Sequence, residues 1–180
     1  MQQWKEKENC KMVEYIVDTN VPLVAQGEAE QMSLNCQKEC ALFLEELFNG
    51  HIKLVIDSDY HLIGEYSNKM TKGSQAQYGN RFLKWILSNQ ANHSKIKTVD
   101  IHAVDQYNFE EVPQSLVDLG FDNSDRKFVA VAIANNNQAK IAQSADSKWI
   151  GWEEALKKEG IHVHFLCRQE LDVIFKKKTG

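Results

Sequence analysis

The chain has 180 residues, 43% of them hydrophobic and 26% charged, which is enough for one well-buried core and short for two. Its formal net charge of −4 excludes a surface coated in positive potential, so any nucleic acid must be held by a local basic patch. No apolar run approaches the roughly 20 residues of a membrane span, the N-terminal MQQWKEKENCKM lacks the apolar segment of a signal peptide, and four scattered cysteines read as packing thiols; together these predict a cytoplasmic protein.

In chain order, residues 1–12 are polar and charged and read as an arm ahead of a strand over 13–18, where an apolar run ends abruptly at Asp18 within YIVDTNVPLVA. Pro22 and Gly27 mark a loop and a helix entry. Over 36–48, Cys36, Cys40, Phe43, Leu44, Leu47 and Phe48 keep to spacings of three and four, the stripe of a core-facing helix that stops at Gly50. IKLVI, over 52–56, is a strand of β-favouring residues ending at Asp57, and helical spacing returns over 60–70, with Glu65 beside the apolar stripe. A further helix over 78–87 uses Phe82, Leu83, Ile86 and Leu87; around it Lys69, Lys72, Arg81 and Lys84 make the best basic patch, which on ordinary grounds is a solvated face.

The span 95–101 reads as a third strand. An irregular segment through Asp105, Tyr107 and Pro113 leads into FDNSDRKFVAVAIANNN, a core-facing helix with Asp122, Ser124 and Asp125 at its start. A fourth strand over 138–145 runs out through Ser144 to Asp146, and the next helix carries Trp149 and Trp152 and ends at Gly160. Over 161–167 strict alternation predicts a half-exposed edge strand, with His162 and His164 turned to solvent, before a last helix over 169–177. Strands alternating with helices throughout predict a single α/β domain over 1–180: three layers, with a central, mostly parallel sheet of about five strands.

Four carboxylates stand at comparable positions: Asp18 after the first strand, Glu65 in the helix after the second, Asp125 opening a helix and Asp146 after the fourth strand. In open α/β sheets ligands gather beyond the carboxyl ends of strands, and Mg²⁺ or Mn²⁺ takes oxygen ligands, so acids meeting there predict a divalent-cation site. Taken singly, Asp122, Asp125 and Asp146 are explained by helix capping and Glu65 by an exposed helix face; the ordered set is not.

On these motifs the sequence resembles the PIN domain, a fold of metal-dependent ribonucleases that include toxins of bacterial toxin/antitoxin pairs. The matching stretches are YIVDTN at Asp18 and Asn20, LIGEY at Glu65, SDRKFVAVA at Asp125, and IAQSAD at Ser144 and Asp146. The resemblance implies that Asp18, Glu65, Asp125 and Asp146 ligate Mg²⁺ or Mn²⁺, that Asn20 and Ser144 hydrogen-bond the carboxylates or the attacking water, and that Asp122 contributes from the same loop. It implies an endoribonuclease acting on single-stranded RNA, or alternatively single-stranded DNA, by two-metal water activation, with Lys69, Lys72 or Arg81 steering phosphates. It also implies a homodimer and an inhibitory protein partner. The chain is longer than compact members, with a helical insertion over 68–94.

Other readings compete. Some PIN-like domains are non-catalytic modules that bind RNA or protein. Asp57 and Asp59 in VIDSDYH are similar to the paired aspartates of haloacid-dehalogenase-like phosphatases, although His61 replaces the expected Thr or Val. Cys36 and Cys40 with His51 have the composition of a zinc site, but they lie in an apolar stripe and no second Cys/His pair has zinc spacing. Trp152 is a candidate for stacking a base.

Overall fold

A computed structural model describes residues 12–70 and 77–180. Five strands form one sheet: β1 (Glu14–Val17), β2 (Lys53–Asp57), β3 (Ile96–Val99), β4 (Lys140–Gln143) and β5 (Val163–Phe165). Their order is β3-β2-β1-β4-β5 and every pairing is parallel, with Tyr15 opposite both Leu54 and Lys140. All four residues of β1 are buried, so the central strand is covered on both faces, as a parallel sheet requires. The chain builds outward from β1 to β3 and then returns to the other side of β1 as β4. That reversal leaves a crevice between β1 and β4 at their carboxyl ends.

The helices are α1 (Asn20–Ala25), α2 (Leu34–Phe48), α3 (His61–Met70), α4 (Tyr78–Asn89), α5 (Gln114–Asp118), α6 (Arg126–Ala134), α7 (Lys148–Lys158) and α8 (Arg168–Thr179). Helix α6, rich in Val and Ala, is buried along most of its length and lies over β1, β2 and β4. A 3-10 turn, Asn123–Asp125, leads into it. Among the described residues no helix is long and apolar enough to cross a membrane.

Several local expectations are corrected. The stretch after Asp18 is not a loop but the short helix α1: Pro22 stands in its first turn, where the backbone N–H has no intrahelical partner and proline's fixed φ is compatible. Within the span 68–94, α4 buries Gly79, Phe82 and Ile86, as its helical stripe predicts, and packs on α1 and α3. His164 is half-buried rather than solvent-facing, with Nδ1 3.0 Å from the Tyr15 hydroxyl. Cys36 and Cys167 are joined in a disulfide with Cα atoms 5.5 Å apart, so only Cys40, of the three described cysteines, is a free packing thiol. Residues 1–11 of the N-terminal arm and Lys72 lie outside the described residues.

Candidate functional site

A cleft of about 610 Å³ opens beyond the carboxyl ends of β1 and β4, and Asp18, Glu65, Asp125 and Asp146 all line it together with Asn20, Asp122 and Lys69. Each acid arrives on a different element. Asp18 follows β1, where its backbone N–H still donates to the Ala142 carbonyl on β4 (3.0 Å), and its side chain is only 3% exposed. The Asn20 backbone N–H donates to Asp18 Oδ1 (2.8 Å). Asn20 thus does hold a carboxylate, and the contact runs through its main chain.

Glu65 is placed by its neighbour on α3: the buried Tyr66 hydroxyl donates to the Val17 carbonyl (2.6 Å), tying α3 to the end of β1. Thr19 Oγ1 then donates to Glu65 Oε1 (2.8 Å). Asp125, at the end of the 3-10 turn, accepts from Trp149 Nε1 (3.0 Å), so a fully buried indole at the start of α7 fixes that carboxylate. Asp146 Oδ1 accepts the Lys148 backbone N–H (2.9 Å), and Asp122 at the rim pairs with Lys148 Nζ (3.1 Å). That contact holds Asp122 below the usual carboxylate range.

The acids disturb one another. Burial, then the charge of Asp125, pushes Asp18 well above the ordinary aspartate value; Glu65 and Asp146 add to the rise, and the Asn20 N–H opposes it. Burial likewise pushes Asp125 up to about 6, opposed by the Trp149 hydrogen bond and reinforced by Asp146, Asp122 and Glu65. One internal cation answers this charge: Lys127 bonds Glu65 and the Ser124 carbonyl, with its side chain 13% exposed. Gathering buried carboxylates without an equal number of cations is costly, and their donor set suits a hard divalent ion with oxygen preference. Among the described residues, the acids do not form a group of three with all ligand atoms within 4.8 Å; only Cys36, Cys40 and Cys167 do. A bound ion would have to draw the carboxylates inward.

Other candidates fall elsewhere. Ser144 is fully buried and does not line the cleft, and its hydroxyl makes no hydrogen bond to the described residues. Arg81 points away, making a bidentate ion pair with Glu45 and lying 4.3 Å from the Phe48 ring centroid, so of the two described phosphate-steering candidates, Lys69 and Arg81, it is Lys69 that lines the cleft. Asp57 is buried and both its oxygens accept backbone N–H groups, of His61 (2.8 Å) and Leu62 (2.9 Å), which caps α3. His51 pairs with Glu46 at the far end of α2 and takes no part in the cysteine cluster. Trp152 packs on Phe121 with centroids 4.6 Å apart, away from the cleft.

Sequence reasoning missed Thr19, Lys127, Trp149 as a ligand of Asp125, and the rim tyrosines Tyr60 and Tyr107. Tyr60 is exposed at φ 65°, and Tyr107 is set by an Asx turn in which Asp105 Oδ1 accepts its N–H (2.8 Å). The signal available for Lys127 was a cation two residues after a motif aspartate. Comparison of the chain with protein-family models, curated protein sequences and solved structures found no match.

Proposed function

We infer that the protein is a metal-dependent phosphodiesterase of PIN type acting on single-stranded RNA. The observation that carries this reading is the convergence of Asp18, Glu65, Asp125 and Asp146 from four separate segments on one cleft at the sheet's reversal point. Mg²⁺ or Mn²⁺ held there would supply water activation and stabilise the departing oxygen, so no nucleophilic side chain is needed. Asp18 and Asp146, flanking the crevice between β1 and β4, are the primary ligands in this reading; Glu65 and Asp125 complete the set or orient water. Thr19 and Trp149 fix the orientation of Glu65 and Asp125 through the hydrogen bonds described above. Lys69 offers a charge to phosphate, and the exposed Tyr60 and Tyr107 rings at the rim offer stacking surfaces that accept any base. RNA over DNA rests on the PIN resemblance.

A second reading has its own support. Lys127 already answers part of the acidic charge, an arrangement that also suits a non-catalytic binding module whose cleft needs no ion. Calorimetric titration with Mn²⁺, followed by incubation with single-stranded RNA, separates the two. The enzyme reading expects saturable Mn²⁺ binding and cleavage, both lost in Asp18→Asn. Cleavage at an unchanged rate in a folded Asp18→Asn protein would remove this mechanism, and a wild-type protein that binds no Mn²⁺ would favour the module.

A further inference from the structure

Away from the cleft, Cys36, Cys40 and Cys167 bring their sulfur atoms within 4.8 Å of one another. Cys36 and Cys40 are one helical turn apart on the buried face of α2, a spacing that sets two side chains over the same patch. Cys167 arrives from the end of β5 as the N-cap of α8, a helix of 12 residues whose N-terminal dipole favours a thiolate there. A second observation concerns access. A depression of about 320 Å³, lined by Glu39, Arg168 and Glu170, borders Cys36 and Cys167, which are themselves buried beneath it.

A disulfide needs two of these sulfurs, and the third has no evident part in exchanging it. Burial pushes the Cys40 thiol up to about 12, so it is scarcely a thiolate at neutral pH and a poor attacker of the Cys36–Cys167 bond. A cation changes that balance, because coordination deprotonates a thiol outright. Tetrahedral Zn²⁺ with bonds to sulfur of about 2.3 Å holds its sulfurs about 3.8 Å apart; Cys40 lies within 4.8 Å of both partners, and the Cys36 and Cys167 sulfurs, bonded to each other here, would part to that separation once reduced.

We propose that in the reduced protein Cys36, Cys40 and Cys167 form a three-thiolate site for one soft d¹⁰ cation, Zn²⁺ foremost, with the fourth position facing the depression and filled by water. Either two equivalents of a small thiol, oxidised to their own disulfide, or one phosphine with water, which becomes the phosphine oxide while water supplies the protons, first converts the Cys36–Cys167 disulfide into two thiols. Binding of Zn²⁺ then forms three Zn–S bonds and releases three protons to water, leaving a single net negative charge beside Arg168 and the N-terminus of α8. Glu170 is already engaged by the Ser33 backbone N–H at 3.0 Å, which leaves the fourth position to solvent. Oxidised or metal-loaded, the cluster ties α2 to the C-terminal helix; reduced and metal-free, it does not.

The test uses the full chain carrying Cys10→Ser, so that only these three cysteines titrate. After anaerobic reduction with a phosphine and its removal, Cd²⁺ or Co²⁺ should bind at one equivalent with sulfur-to-metal charge-transfer absorption, which carboxylate ligands in the cleft do not give. Zn²⁺ should protect all three thiols from alkylation, as counted by intact mass. Cys40→Ala should lower Cd²⁺ affinity by more than about 100-fold, the upper end of what loss of a mere outer-shell partner costs. Absence of the charge-transfer band together with unprotected thiols in Zn²⁺ overturns the proposal, as does a Cys40→Ala protein that binds as tightly as its parent. If Cys40→Ala does not fold, the alkylation count on the Cys10→Ser protein decides.

Discussion

Strand β1 has a buried carboxylate at its start and another just past its end, and their surroundings differ. Glu14 accepts from Asn135 Nδ2 (2.8 Å) and lies 3.4 Å from Lys97 Nζ, a neutral donor and a cation from two other elements. Asp18 receives one backbone N–H and is otherwise faced by Asp125, Glu65 and Asp146. The first is an internally compensated charge of the kind that holds a fold together. The second is a charge the fold leaves in debt, at the crevice where a parallel sheet can receive a ligand.

The widest separation between these two ends should come from removing each acid. In the proposed mechanism Asp18→Asn should lower Mn²⁺-dependent RNA cleavage by about 10³-fold or more, a loss on the scale of deleting a main electrostatic element of a site, while raising the melting temperature of the metal-free protein. Glu14→Ala should do the reverse: it leaves Asn135 and Lys97 without their acceptor, lowers stability by about 1–3 kcal/mol in urea unfolding, and leaves cleavage per folded molecule intact. A destabilised Asp18→Asn protein would erase the distinction drawn here.

The pH dependence is the next largest effect. Asp125 has its folded value raised to about 6 from an ordinary 3.8, so between those values the native state binds more protons than the unfolded chain. Stability contributed by this group is therefore present below about pH 4 and is lost as pH rises through about 6, by about 3 kcal/mol at 1.36 kcal/mol per unit. Urea unfolding of the metal-free protein at several pH values should show this decline, and Asp125→Asn should flatten it.

Smaller effects sharpen the picture. Lys127→Met removes the fixed cation that competes for Glu65, and should raise Mn²⁺ affinity about tenfold by calorimetry while costing the metal-free protein stability. A fall in affinity would instead make Lys127 part of the binding arrangement. Tyr66→Phe deletes the hydroxyl that ties α3 to Val17 and should cost about 1 kcal/mol in the same unfolding assay.

The sheet was legible because its signal is local: short β-favouring runs alternate with helical stripes, and Asp18, Glu65, Asp125 and Asp146 each sit at a fixed offset from such a run. Contacts set by distant partners were not legible. Nothing in 161–167 announces that Cys167 meets Cys36, 131 positions earlier, or that His164 turns inward to Tyr15. Arg81 read as part of a basic patch because Glu45, its partner on α2, is 36 residues away. Ser144 has the right spacing from Asp146, but the residue lies fully buried and outside the cleft. Helix α1 was hidden because proline was read as a breaker in a position where a first turn tolerates it.

The Cys36–Cys167 link has a topological consequence. It closes a covalent ring that encloses Glu65, Asp125 and Asp146, and leaves β1 with Asp18 outside it. A single protease cut in the exposed stretch around Val104 and Tyr107 therefore opens the ring without releasing a fragment, and the nicked chain should run as one species on a gel until it is reduced. Until then, all four acids remain on one covalently connected molecule, Asp18 through its peptide link to Cys36, and re-forming the cleft is an intramolecular event rather than the meeting of two pieces.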